Sequence, residues 1–186
     1  METISPQVLR QLIRDKYGSL ESAQKNGLAE DITRLQNGEP LAYVIGWIPF
    51  GDLKIHLTGR PLIPRPETEW WTTELMYVLD TRGMSKPFRL LDLCAGTGAI
   101  GLSVLARFPH AVVEFCEIDS EHAALISKNI GENNLDRSRS KITRGNLFTP
   151  FFNERFDVIA TNPPYIPESR NLEPSVRDFE PPLALY

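Results

Sequence analysis

Arg89-Leu-Leu-Asp-Leu-Cys94 is a short apolar run, Ala95-Gly-Thr-Gly-Ala99 a glycine-bearing turn, and Ile100-Gly-Leu-Ser-Val-Leu-Ala-Arg107 a run with helical periodicity. Strand, glycine turn and helix in that order make the βα unit that holds nucleotides. Gly96 and Gly98 permit a tight turn and a close approach of ligand to backbone. The helix N-terminus beyond them favours a ligand carboxylate. A second apolar run, Ala111-Val-Val-Glu-Phe-Cys116, follows and ends in Glu117. That acid falls roughly 20 residues beyond the glycines, where such folds bond ribose hydroxyls. The third glycine of the dinucleotide fingerprint is out of register. The unit therefore points away from NAD and towards a smaller nucleoside ligand.

Further strands are predicted at about 141–145 and 156–161, with helices between, beside those at 89–94 and 111–117. Such alternation implies an α/β fold with a parallel, doubly wound sheet. The last strand runs into Asn162-Pro163-Pro164-Tyr165. The two prolines fix φ and supply no N–H donors, and Pro163 pushes Asn162 out of the helical region. The result is a rigid loop presenting one amide side chain, acceptor carbonyls and an aromatic ring. That equipment suits a planar –NH2 group that must be held and made nucleophilic. The plain alternative is a proline-stiffened loop after a strand.

The glycine turn, Glu117 and the Asn162–Tyr165 loop, together with Leu62-Ile-Pro-Arg-Pro-Glu-Thr-Glu69, resemble the HemK/PrmC family, the protein (glutamine-N5) methyltransferases that modify peptide chain release factors. Gly38-Glu-Pro-Leu-Ala-Tyr-Val-Ile-Gly46, followed by Phe50, resembles that family's linker. The likeness covers about residues 35–186. It implies a class I S-adenosylmethionine-dependent methyltransferase with a Rossmann-like parallel sheet. The implied activity is methylation of the glutamine in the Gly-Gly-Gln loop of a release factor. The likeness further implies that Asn162, Pro163 and Tyr165 are catalytic and that Pro164 joins them in binding substrate. Cys94, Ala95, Gly96, Thr97 and Gly98 would line the cofactor together with Asn162, with Asp92 near its methionine ammonium and Glu117 on its ribose. Asp119 stands close enough to compete for the ribose role, but Asn129 lies at the family's spacing from Glu117. Asn146 stands where relatives have an Asp on the adenine amino group, and Leu147 and Phe148 flank the adenine or pack in the core. Arg65, Glu67, Thr68 and Glu69 would wall the active site; a solvated helix start is the alternative for the two acids. Cys94 in the turn and Trp70-Trp71 look like fungal mitochondrial members, so the mitochondrial matrix is the expected compartment, with the cytoplasm as the alternative.

The same likeness implies a truncated product or fragment, because relatives continue past the segment matching Glu180-Pro-Pro-Leu-Ala-Leu185. Four strands in the order 3-2-1-4 would remain, with the fourth an apolar edge. Upstream, Ser5-Pro6 opens a helix that Gly18 stops, Ser19 starts a second, and residues 28–36 suit a third. Residues 1–40 thus read as a small helical module and 41–66 as a β-hairpin linker, in which residues 43–57 alternate around Pro49-Phe-Gly-Asp52. The region 67–186, opening with a helix over 67–80, reads as the methyltransferase domain, incomplete at its C-terminus.

The chain's 186 residues are 41% hydrophobic and 24% charged, with net charge −4, which is ordinary for a soluble domain. No apolar stretch reaches membrane-spanning length. The acidic balance weighs against direct nucleic-acid binding. Three scattered histidines and no Cys-x-x-Cys give no support to a metal site. Cys94 and Cys116 read as reduced thiols of an intracellular protein. Two competing functions use the same residues. One is methylation of an adenine amine in nucleic acid, which needs a basic groove and a base-flipping segment that the sequence does not display. The other is an inactive cofactor-binding remnant.

Overall fold

The structure, a computed structural model, describes residues 3–83 and 86–186. Ser5 caps the first helix, α1 (Pro6–Leu12), its hydroxyl accepting the Val8 N–H at 3.2 Å. The chain then makes one π turn, Ile13–Tyr17, and Gly18 ends it at positive φ. Ser19 caps α2 (Leu20–Lys25), and α3 (Leu28–Gln36) ends at Asn37. A polar centre joins these helices. Buried Asp31 accepts from Lys16 at 2.6 Å, from the Tyr17 hydroxyl and from Arg34 at 3.2 Å. Arg34 also grips Glu39, which Arg60 reaches from within the linker.

The linker differs from its expected form in one place. Residues expected to begin the hairpin instead form α4 (Leu41–Ile45). The Pro40 carbonyl accepts from Tyr43 and Val44, and Gly46 at φ +93 ends the turn. Tyr43 and Val44 are neighbours and both buried, which a strand with one wet face does not allow. The hairpin itself follows as β1 (Trp47–Phe50) and β2 (Leu53–His56).

The outer edge of β2 would present bare backbone groups. Here α7 (Ser120–Glu132) and its C-cap residue supply side-chain amides in place of a third strand. Asn133 accepts the Lys54 N–H and donates to the Lys54 carbonyl, both at 2.9 Å. One turn earlier, Asn129 accepts the His56 N–H at 2.9 Å and donates to its carbonyl at 3.4 Å.

Helix α5 (Pro66–Thr81) leads to the main sheet of β3 (Phe88–Leu93), β4 (Ala111–Glu117), β5 (Ser140–Arg144) and β6 (Val158–Thr161). All neighbours are parallel in the order β5-β4-β3-β6, the order expected from the sequence. Helix α6 (Ala99–Arg107) packs on one face, where Leu90, Val113 and Phe115 meet Leu102 and Leu105. On the other face Phe151 packs on Leu91, Leu93 and Cys116, with Phe156 against it. Among the described residues β6 lies at the sheet edge, with Ile159 half-exposed. No described helix is long and apolar enough to cross a membrane.

Gly101 sets how closely α6 meets β4. A Cβ there would come within 2.4 Å of a Phe115 ring carbon and 2.9 Å of Val113. Alanine gains about 1 kcal/mol of helix propensity, but overpacking a tight core costs about 1–3 kcal/mol. Gly101→Ala is therefore expected to lower stability by up to about 2 kcal/mol, read as a lower urea midpoint. An unchanged midpoint would show that the contact yields freely.

Candidate active site

Three strand ends meet at one level. Leu93 pairs with Cys116 on β4 and with Thr161 on β6. The chain therefore leaves the sheet side by side at Cys94, Glu117 and Asn162. These ends and the residues after them line a cavity of about 180 Å³. Its walls are residues 94–97, 116–119 and 145–147, with Asn162 and Pro164. Leu62, Pro64 and Thr68 close it from the proline-rich segment, and Pro181, Leu183 and Ala184 from the C-terminal end.

The glycine turn is held by four hydrogen bonds. Ala95 N–H bonds to the Cys116 carbonyl at 3.0 Å, Gly96 N–H to Glu117 Oε2 at 2.7 Å, and Gly98 N–H to the Ala95 carbonyl at 2.7 Å. The Thr97 carbonyl accepts from Asn129 Nδ2 at 3.0 Å. The two glycines serve different ends. Gly96, at φ +54, faces open space on the cavity wall. Gly98, at φ +79, does not line the cavity; a Cβ there would meet Leu102 at 2.6 Å and Ile126 at 3.1 Å. Its positive φ and close neighbours give it a packing role beneath the turn.

Glu117 Oε1 accepts from Ile118 and Asp119 at 2.9 and 3.0 Å, so the carboxylate takes three backbone N–H groups in all. A carboxylate has about four acceptor sites, which leaves capacity for a ligand hydroxyl in the cavity. Asp119 also lines the cavity, and its Oδ1 caps α7 by accepting the Glu121 and His122 N–H groups. Two of the four described non-glycine residues at positive φ, Cys94 and Leu147, also line the cavity. Strain of this kind gathers at ligand sites. Burial and the charge of Glu117 push the Cys94 thiol up, and burial with neighbouring charges pushes Cys116 to about 11. Both sulfurs are free thiols at neutral pH and act as apolar wall rather than as nucleophiles.

Asp92 is fully buried and does not line the cavity. It lies beneath the glycine turn, with Oδ2 accepting the Gly101 N–H at 2.8 Å and Oδ1 unpartnered. In this arrangement Asp92 supports the turn from beneath: β3 alternation aims it at α6. Asn146 lies at the cavity mouth with its side chain exposed, beside Leu147, whereas Phe148 stands outside the lining.

Asn162 and Pro164 reach the cavity, and Asn162 Nδ2 donates to Thr68 Oγ1 at 3.4 Å. Pro163 and Tyr165 do not line it, and Tyr165 is 74% exposed. The Ile166 N–H bonds to the Leu185 carbonyl, which draws the chain after Pro164 outward to α9 (Pro182–Leu185). Tyr165 thus stands outside the cavity in this arrangement. Of the proline-rich segment, Thr68 walls the cavity, while Glu69 caps the hairpin through Gly51 N–H at 2.7 Å. Arg65 acts from behind: it binds buried Glu180 at 2.6 Å, and Glu180 also accepts the Ile63 N–H at 3.3 Å. This clamp lays the C-terminal segment over the cavity. Periodicity gives no sign of the clamp, since it joins residues far apart in the chain; the Glu180-Pro-Pro run was its only trace.

Burial, with a lesser contribution from Glu117, raises the Asp92 carboxyl to about 8, against the bond from Gly101. Its unfolded value is about 3.9, so folding favours the protonated form. The stability it contributes is complete below about pH 4 and is lost as pH rises towards 8. In Asp92→Asn, which keeps the acceptor for Gly101, the pH dependence of stability between 4 and 8 is expected to flatten by about one proton. Urea midpoints across that range check it, and parallel curves for the two proteins would contradict a raised Asp92.

Residues 72–177 match the methyltransferase small domain family. The release factor glutamine methyltransferase of Caulobacter vibrioides is 34% identical over 178 residues, 94% of this chain and 60% of that protein. The one from Lactococcus lactis is 34% identical over 163 residues, 86% of this chain and 57% of that protein. The chain thus spans less than two thirds of these curated relatives. A crystal structure described as a SAM-dependent methyltransferase from Agrobacterium tumefaciens shares the fold, at TM-score 0.54 and 18% identity over 63% of this chain and 39% of that one. With sheet order, cavity and match over most of the sheet in agreement, the chain belongs to the methyltransferase small domain family.

Proposed function

We propose that this chain transfers a methyl group from S-adenosylmethionine to the side-chain nitrogen of the glutamine in a Gly-Gly-Gln loop of a peptide chain release factor. One observation carries the reading: Asn162, at the end of β6, shares a cavity with the glycine turn at the end of β3 and Glu117 at the end of β4. The names of the 34%-identical relatives support the choice of glutamine over an adenine amine as the acceptor.

The residues present fit the proposed cofactor. Glu117 keeps acceptor capacity for ribose hydroxyls, Ile118 and Leu147 offer apolar wall for a purine, and Asn146 can accept from an adenine amine. When bound, S-adenosylmethionine supplies a sulfonium-activated methyl group. The chain's task is the nucleophile, because a glutamine amide nitrogen shares its lone pair with the carbonyl. Asn162 Oδ1 in the cavity, and the Pro163 carbonyl between the two lining residues Asn162 and Pro164, would accept the two –NH2 hydrogens and turn that lone pair into the cavity. An N-methylated amide cation is strongly acidic, so no dedicated base is needed. Positioning and fixed dipoles supply the acceleration.

Asn162→Ala is expected to cut methyl transfer to a release factor by about 100-fold or more. Its affinity for S-adenosylmethionine should stay within about threefold of the parent, since no bond from Asn162 holds the glycine turn. Mass spectrometry of the Gly-Gly-Gln peptide with isothermal titration reads both. Parental turnover by this variant would remove Asn162 from the mechanism.

A further inference from the structure

We propose that Asn129 is a positioning residue that makes the cofactor loop and the hairpin linker one mechanical unit, so that occupancy of the cavity is felt at the edge of β2. The inference rests on the reading of the cavity as an S-adenosylmethionine site. Asn129 is fully buried on α7, and its one amide spans two elements. Oδ1 accepts the His56 N–H at 2.9 Å; Nδ2 donates to the Thr97 carbonyl at 3.0 Å and, more weakly, to the His56 carbonyl at 3.4 Å. These partners are backbone groups of fixed polarity, so the amide has one satisfactory orientation.

Thr97 stands between two glycines at positive φ, in a turn with no ladder of its own to hold its carbonyl. It lines the cavity, and Asn129 is its tether from outside the turn. A ligand that orders the turn therefore also orders Asn129, and with it the His56 amide. By reciprocity, a hairpin held in place favours the ordered turn. Asn133 is the matched comparison: it grips Lys54 as Asn129 grips His56, but makes no bond to the turn.

The test has two arms. In the parent chain, hydrogen exchange with and without S-adenosylmethionine should show added protection at the His56 amide but little at the Lys54 amide. In the second arm, Asn129→Asp keeps the acceptor for His56 and sets a carboxylate oxygen against the two carbonyls. Its affinity for S-adenosylmethionine is expected to fall about tenfold, while Asn133→Ala loosens the hairpin and leaves that affinity within about twofold. Parental affinity in Asn129→Asp, or no added protection at His56 in a parent chain that binds, would overturn the proposal. A folded parent chain that fails to bind S-adenosylmethionine would instead overturn the reading of the cavity.

Discussion

The register of β3 against both neighbours is the constraint on which the rest depends. Leu93 lies opposite Cys116 on one side and Thr161 on the other. Strands run from β3 outward to β4 and β5, and the chain then returns to the far side of β3 for β6. Ligand crevices of open parallel sheets form where the strand order reverses in this way. A slip of one residue in β3 would turn Asp92 to the opposite face and Leu91 and Leu93 into α6. The burial of all three holds the register and so brings Glu117, the glycine turn and Asn162 level.

Around that crevice, long-range polar contacts set what closes it. Helix α7 starts at the cavity through Asp119 and then lays Asn129 and Asn133 along the free edge of the hairpin. On the opposite side Arg65 and Glu180 bind the proline-rich segment to the C-terminal strap. A carboxylate this buried costs much of what its pairing returns. The clamp accordingly contributes more to where the strap lies than to net stability.

Much of this was legible in the sequence because it is local. Hydrophobic period and glycine punctuation place β3, α6, β4 and their turn to within a residue, and Ser5 and Ser19 mark their helices by cap chemistry alone. Residues 43–45 join a helical turn where alternation suggests a strand, because so few residues do not let period separate the two. Gly98 on the glycine fingerprint, and Asp92 on the family likeness, look like ligand contacts, yet how each one sits depends on how closely α6 and Ile126 approach. Tyr165 was placed in the site by its neighbours in the chain, but the Ile166 bond to Leu185 decides its position. The Asn129 tether and the Arg65–Glu180 clamp join distant positions, and no local pattern encodes them.

The most direct test of the account is calorimetric titration of the 186-residue chain with S-adenosylmethionine, with NAD as control. The account predicts saturable binding at one site for S-adenosylmethionine and none for NAD. Equal binding of NAD, or no heat of binding from a chain shown to be folded, would contradict the assignment of the crevice.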